Sequence, residues 1–219
     1  MDTKPNAITR VLRSFGLGRI LLAYYLLQKN YLSIMGWTSS VARNRPVDAA
    51  GEPIPWFTYG SISFLKPRIQ PAFSIFEFGS GNSTLWFASL GCEVVSVEHD
   101  EQWYRLFQPN LAGIPRVKAL LAPLADQAYS NSILAYRETF DIIVVDGRDR
   151  VECAKNSLQA LKPNGVIIWD NSDRPEYEAG YEFLLNKGFK RIDFSGFGPI
   201  NSRAWCTSVF YRPGNCLGI

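Results

Sequence analysis

From residue 74 onward the chain alternates short apolar, β-favouring runs with helix-like segments, and most of the runs stop at or beside an acid. The runs are Ser74–Gly79, Glu93–His99, Val117–Ala122, Asp141–Asp146 and Gly165–Asp170. Between them, Asp100 is placed to cap a helix reaching about Leu111. Val151 to Leu161 reads as a second helix, stopped by Lys162-Pro163-Asn164-Gly165. Pro175 suits a helix start after Asn171-Ser172-Asp173, and Gly188 suits its end. Such alternation predicts a doubly wound, Rossmann-like α/β fold: a mostly parallel sheet with helices on both faces. Two further runs, Lys190 to Ser195 and Cys206 to Arg212, bring the sheet to seven strands. Only the turn-rich Gly196-Phe197-Gly198-Pro199 lies between them, so the last strand is expected to run antiparallel.

The first run continues as Glu77-Phe78-Gly79-Ser80-Gly81-Asn82-Ser83-Thr84. A strand, a glycine turn and a helix starting at Asn82 or Ser83 bring backbone close to a ligand at a helix N-terminus. Ser80, Ser83 and Thr84 add hydroxyls there. Glu98 closes the second run, where an acid can accept hydrogen bonds from a ribose diol. His99 follows it and is expected at the adenine edge. Together they predict a nucleoside cofactor. Ligands of an open parallel sheet bind at the carboxyl ends of its strands. Here those ends carry Glu77 and Gly79, Glu98, Asp146-Gly147-Arg148, and Asp170-Asn171-Ser172. One acid at a strand end is an ordinary turn residue; four such endings on one edge point to a site.

These residues resemble the class I S-adenosylmethionine-dependent methyltransferase family over roughly residues 70–212. The family's first motif is an acid followed by glycines at alternate positions. Glu77, Gly79 and Gly81 match it, and Ser83 stands where a third glycine is common. The resemblance implies S-adenosylmethionine as cofactor, with Gly79 and Gly81 approaching its methionine part. It also implies that Glu77 orders the loop and the cofactor's amino group, that Glu98 takes the ribose hydroxyls, and that Asp146 lines the site. The expected reaction is O-methylation of a small molecule. An NAD-dependent oxidoreductase is the rival on the same fold, but Thr84 occupies the third glycine position of the dinucleotide fingerprint. A P-loop is excluded because no Gly-Lys-Ser/Thr follows. A non-catalytic membrane-surface module is the second rival.

Methyl transfer is an in-line displacement that needs alignment and loss of the acceptor's proton. Asp146, Asp170 and Asn171 are the candidate catalytic residues. Three oxygen ligands at adjacent strand ends suit Mg²⁺, and the set resembles the metal triad of catechol-type O-methyltransferases. The other reading is a pair of salt-bridged strand ends, with Arg148 and Arg150 neutralising Asp146 without a metal. Arg148 and Arg150 are themselves candidates to bind a carboxylate, phosphate or sugar on the acceptor, or else a solvated helix start. Trp56 and Tyr59, between Pro53 and Gly60, read either as surface packing or as a wall over the site. Asn201, Ser202 and Arg203 lie in the last turn, within reach of an acceptor; Trp169 and Trp205 read as core.

Residues 1–70 hold nine Lys/Arg against three Asp/Glu, whereas residues 71–219 hold fourteen against seventeen. The division predicts a basic, aromatic, helical extension and linker over 1–70, followed by the cofactor-binding domain over 71–219. Residues 8–34 suggest an amphipathic helix, either packed on the domain or lying on a membrane surface, with Arg10, Arg13, Arg19 and Lys29 beside Leu, Ile and Tyr. Its apolar stretch from Ile20 to Leu27 is too short to span a bilayer. Residues 38–58, rich in Ser, Pro, Gly and Arg, read as an extended linker. A net charge of +3 is too small to argue for nucleic acid. Four cysteines without a CxxC pattern and a single histidine indicate neither zinc nor a disulfide framework. With no apolar leader in the first twenty residues, a cytoplasmic location is expected.

Overall fold

The structure, a computed structural model, describes residues 18–219; the start of the expected N-terminal helix lies outside the described residues. Seven strands form one sheet: β1 (Ser74–Phe78), β2 (Glu93–Glu98), β3 (Val117–Leu121), β4 (Phe140–Val145), β5 (Leu161–Asp170), β6 (Lys190–Gly196) and β7 (Trp205–Tyr211). Their spatial order is β3-β2-β1-β4-β5-β7-β6. β1 to β5 pair in parallel, and β7 runs antiparallel to both β5 and β6. The helices are α1 (Gly18–Gln28), α2 (Tyr31–Ile34), α3 (Trp37–Arg43), α4 (Tyr59–Leu65), α5 (Asn82–Ser89), α6 (Glu101–Leu111), α7 (Ala128–Asn131), α8 (Arg150–Ala160) and α9 (Glu178–Asn186). This is the Rossmann-like, seven-stranded architecture that the alternation predicts.

β4 is buried at every position. Ile142 and Val144 enter one core with Phe57, Ile62, Leu65 and Phe87. Ile143 and Val145 enter the other with Phe78, Tyr129, Trp169 and Leu184. Burial of each such side chain stabilises the fold by roughly 1.5–3 kcal/mol, and two-sided burial is why the strand reads as an unbroken apolar run. Register then decides the chemistry. Phe78 pairs with Val97 and Val145, and Val145 pairs with Trp169. The residues one step beyond that row are Gly79, Glu98, Asp146 and Asp170, so all four emerge along one edge. The chain reverses its lateral progress between β1 and β4, which opens a crevice at that edge.

Three expectations are corrected. Lys162-Pro163-Asn164-Gly165 is not a turn between a helix and a strand: β5 begins at Leu161, directly after α8. Leu161 pairs with Phe140, the register shifts, and pairing resumes at Val166 with Ile142. The four residues bulge because Pro163 has no N–H for the ladder. Nor is 38–58 an extended linker. Ser40 Oγ donates to Val47 O at 2.7 Å and accepts from Val47 N at 3.0 Å. Val47 also bridges Pro53, and Val47, Ile54 and Phe57 are buried. A few apolar anchors and one hydroxyl fold a segment whose composition reads as polar. Last, the helix expected over 8–34 is interrupted within the described residues. It breaks at Lys29-Asn30, where Asn30 Oδ1 caps α2 by accepting from Ser33 N at 2.9 Å. α1 leaves Ile20, Leu21, Tyr24, Tyr25 and Leu26 exposed rather than packed on the sheet.

Candidate active site

The glycine loop hangs from β2. Gly79 N donates to Val97 O at 2.8 Å, Ser80 N to Glu98 Oε2 at 3.1 Å, and Ser80 Oγ to Ser96 Oγ at 2.9 Å. Gly79 has φ +101°, a conformation that side chains rarely adopt. Gly81 is extended; a Cβ built on it would meet no protein atom within 4 Å. It therefore leaves open space at the N-terminus of α5, which a ligand can fill.

Glu77 is 1% exposed. Its Oε2 accepts from Thr84 Oγ1 at 2.5 Å, and Thr84 Oγ1 in turn accepts from Gly81 N at 3.0 Å. Thr84 is fully buried and holds Glu77 and the loop rather than facing the cleft. Burial pushes the Glu77 carboxyl up to about 7, against the Ser83 and Thr84 hydroxyls, which hold it down, and with the Glu98 charge, which raises it further. No described residue completes a hydrogen bond to its Oε1. A buried carboxylate with one orphaned oxygen on a cavity wall suits a cationic or N–H-bearing ligand.

Glu98 is 4% exposed. Its Oε1 accepts from His99 N at 2.8 Å and Asp100 N at 2.9 Å. With Ser80 N on Oε2, these amides lock the carboxylate while leaving acceptor capacity for a diol. His99 Nδ1 lies 2.9 Å from Oε1, and the ring meets Tyr129 edge-on. Trp103 is a site residue that sequence reasoning missed. Its Nε1 donates to Ser80 O at 2.7 Å, and its ring stacks on Phe107 while staying 46% exposed beside His99. That is a flat face for a nucleobase; the signal was an aromatic residue just after the Asp100 cap. Asn44, Arg45 and Pro46 close the opposite side, so the cleft has a volume of about 600 Å³ between them and the strand ends. The linker reading hid all three.

Residues 76–172 match the family model described as a methyltransferase domain. The span runs from β1 to just past Asp170 and takes in every strand end of the cleft. The chain carries a methyltransferase domain of the class I, S-adenosylmethionine-dependent kind. The NAD-dependent and non-catalytic readings are thereby set aside. No curated protein matches the methyltransferase by sequence. Among solved structures, a proposed caffeoyl-CoA O-methyltransferase from Staphylococcus aureus has a TM-score of 0.57 at 14% identity, covering 90% of this chain and 99% of that one. A precorrin-6y C5,15-methyltransferase from Geobacter metallireducens GS-15 has a TM-score of 0.55 at 15% identity, covering 69% and 86%. An rRNA methylase from Streptococcus thermophilus has a TM-score of 0.51 at 18% identity, covering 68% and 93%. These likenesses show the fold. Their names span a CoA ester, a precorrin and an rRNA, so the fold alone selects no acceptor.

Beyond the cofactor cleft, the methyltransferase has a second cavity of about 300 Å³, lined by Trp56, Asp146, Asp170, Asn171, Arg174, Asn201 and Trp205. Trp56, Asp146 and Arg174 line both cavities. Asp170 is 3% exposed; its Oδ1 accepts from Trp205 Nε1 at 2.9 Å and from Thr207 Oγ1 at 2.6 Å. Because β7 is antiparallel, its first residues lie at this edge and reach Asp170. Burial, then the Asp146 charge, push the Asp170 carboxyl up to about 8. Asp146 is raised to about 7 by burial, with Arg150 and Arg174 opposing. Its side chain keeps 22% exposure to the cleft, so water there tempers the push more than at Asp170.

Arg150 is buried and donates to Gly147 O at 2.9 Å, to Asp146 O at 3.1 Å and to the carbonyl of Asp170. It also donates to Asp146 Oδ1 at 3.2 Å. It is a tie between the ends of β4 and β5, which corrects its reading as an acceptor ligand. Tyr59 is corrected too: it is 1% exposed, packs edge-on to Tyr31 and belongs to the core. Arg148 stays at the cleft mouth, whereas Ser202 and Arg203 are exposed and outside the second cavity. Asp146, Asp170 and Asn171 come together as expected, but their donor chemistry does not fit Mg²⁺. Arg150 holds Asp146, two protein donors hold one oxygen of Asp170, and no group of three His, Cys, Asp or Glu among the described residues suits a metal. Arg174 is a further residue that the sequence reading missed; it sits in a helix-start segment where it resembles ordinary surface charge.

Proposed function

We propose that this methyltransferase methylates a hydroxyl of a small molecule held in the second cavity. The observation that carries the reading is the shared wall: Trp56, Asp146 and Arg174 border both the cofactor cleft and the smaller chamber. S-adenosylmethionine, when bound, supplies a methyl group on a sulfonium. Glu77 Oε1 receives the cofactor's amino group, Glu98 its ribose hydroxyls, and Trp103 with His99 its base. Gly79, Ser80, Gly81 and Ser83 shape the loop beneath the methionine part. Residues 71–219 thus carry the cofactor, and the segment before them covers it.

In the chamber, Asp170 Oδ2 takes no donor from the described residues and is free to accept the acceptor's hydroxyl proton. A carboxyl raised to about 8 is a stronger base than an ordinary aspartate, and the share of it ionised and able to take that proton grows as the pH rises toward 8. Asp146, paired with Arg150, keeps a negative wall between the two cavities. Asn171, on the chamber wall, orients the acceptor, and Arg148 stands on the cofactor side. Calorimetric titration with S-adenosylmethionine tests the cofactor reading, and transfer of a labelled methyl group to hydroxyl-bearing small molecules tests the rest. Absence of cofactor binding by folded protein overturns it.

Exposed Ile20, Leu21, Tyr24, Tyr25 and Leu26 on α1, with Arg19 and Lys29 at its ends, support peripheral contact with a lipid surface. No described helix is long and apolar enough to cross a membrane. Co-sedimentation of the full chain with anionic liposomes tests that contact; no sedimentation at low salt overturns it. Four free cysteines support a reducing, cytoplasmic setting.

A further inference from the structure

We infer that the acceptor is a neutral, polyhydroxylated molecule of the sugar class, seated against the face of Trp56; this rests on the O-methyltransferase reading above. The chamber's charges offset one another. Arg150, outside the lining and committed to backbone carbonyls, neutralises Asp146 from 3.2 Å, which leaves Asp170 against Arg174 on the wall. A cationic acceptor would be desolvated beside Arg174, and an anionic one beside the two acids. A ligand with neighbouring hydroxyls gains from both signs: the acids accept, Arg174 donates, and the Asn171 and Asn201 amides do either.

The aromatic content narrows the class. Trp205 is only 8% exposed and its N–H is committed to Asp170. Trp56, at 43% exposure, is therefore the accessible aromatic plane on the wall. A flat aromatic diol is best held in a slot that is apolar on both faces. A sugar ring has one face of C–H groups and a polar rim, which matches one indole and a ring of carboxylates, amides and a guanidinium group. A cavity of about 300 Å³ is at the small end for ligand pockets, a size that suits a compact ligand. Asn201 is anchored for this use: its carbonyl accepts from Trp37 Nε1 at 3.0 Å, which fixes the turn that carries it.

The test uses the full chain, S-adenosylmethionine with a labelled methyl group, and four methyl glycosides (gluco, manno, galacto and rhamno), with catechol and putrescine as comparison probes. At least one glycoside is expected to take up label tenfold or more above a protein-free blank. At saturating S-adenosylmethionine, Trp56→Ala is expected to raise KM for that glycoside about tenfold, and Trp56→Phe to restore most of it. Label on catechol or putrescine alone, or on no glycoside in protein that binds the cofactor by calorimetry, overturns the inference. Loss of cofactor binding itself overturns the methyltransferase assignment, so the two failures are distinguishable.

Discussion

The side-chain amide of Asn82 donates to the carbonyl oxygen of Pro46 across 2.5 Å, joining residues 36 apart in the chain. Asn82 opens α5 directly after the glycine turn, and Pro46 belongs to the segment that walls the cofactor cleft. Val47 is held by Ser40 and by its bridge to Pro53. The Asn82 bond therefore fastens an already folded segment onto the glycine loop.

Asn82→Ala is expected to weaken S-adenosylmethionine binding by about 3–10-fold, the scale of one hydrogen bond at roughly 0.5–1.5 kcal/mol. The melting temperature should hardly move, because the Ser40–Val47 pair and the core anchors remain. Calorimetric titration checks it; an unchanged dissociation constant would show that the segment does not act on the cofactor.

Gly81→Leu separates space from backbone conformation. Gly81 is extended, and nothing in the protein lies within 4 Å of an added Cβ. Thermal stability should stay near wild type while cofactor binding falls by at least tenfold. If binding survives, the open space is not where the cofactor sits.

Glu98→Ala is expected to weaken cofactor binding by about 1–3 kcal/mol, the scale of hydrogen bonds to a charged group. It also strips the acceptor from Ser80, His99 and Asp100 amides, so a lower melting temperature should accompany it. Glu98→Gln, which keeps one acceptor oxygen, should lose less of both. Full cofactor affinity in Glu98→Ala would remove the ribose assignment.

Asp170→Asn should abolish turnover and leave cofactor affinity within about twofold, since its Oδ1 contacts to Trp205 and Thr207 survive in the amide. The same variant reads the linkage. A carboxyl raised to about 8 from an ordinary value of about 3.9 keeps its proton in the native state after the unfolded chain has lost it. Native protein then binds more protons than unfolded protein between about pH 4 and 8, so stability falls as pH rises through that window. Glu77 and Asp146, both raised to about 7, add slope of the same sign. Melting scans from pH 5 to 8.5 should show a shallower decline in Asp170→Asn; parallel curves would mean that Asp170 is ionised throughout.

Chelation should change nothing. With Arg150 on Asp146 and two protein donors on Asp170 Oδ1, EDTA or added Mg²⁺ is expected to leave both cofactor affinity and methyl transfer within about twofold. A strong metal requirement in the transfer assay would restore the triad that the donor set speaks against.

Much of the glycine-loop cleft was legible before any coordinates, because its signals are local. Strand-forming runs, the glycine turn and the Asp100 cap act within a few residues, and parallel pairing lines up acids that share a position relative to their strand ends. The acceptor side was less legible. Arg150 beside Asp146 looks like an acceptor ligand until its guanidinium is seen on three carbonyls. Tyr59 beside Trp56 looks like a wall until the turn into α4 sends one ring to the cleft and the other to the core. Asn44, Arg45 and Pro46 carried no signal, since their role depends on a partner far along the chain.

The sequence by itself therefore determined the order of strands and helices, the parallel sheet, and which acids and glycines meet at its carboxyl edge. These follow from side-chain period and turn chemistry. The tertiary structure alone decided that the N-terminal segment folds over the cleft, that β7 brings Trp205 and Thr207 to Asp170, and that Arg150 ties β4 to β5. Each is a contact between residues distant in the chain or an orientation set by packing, and both depend on which surfaces are buried together rather than on any local preference.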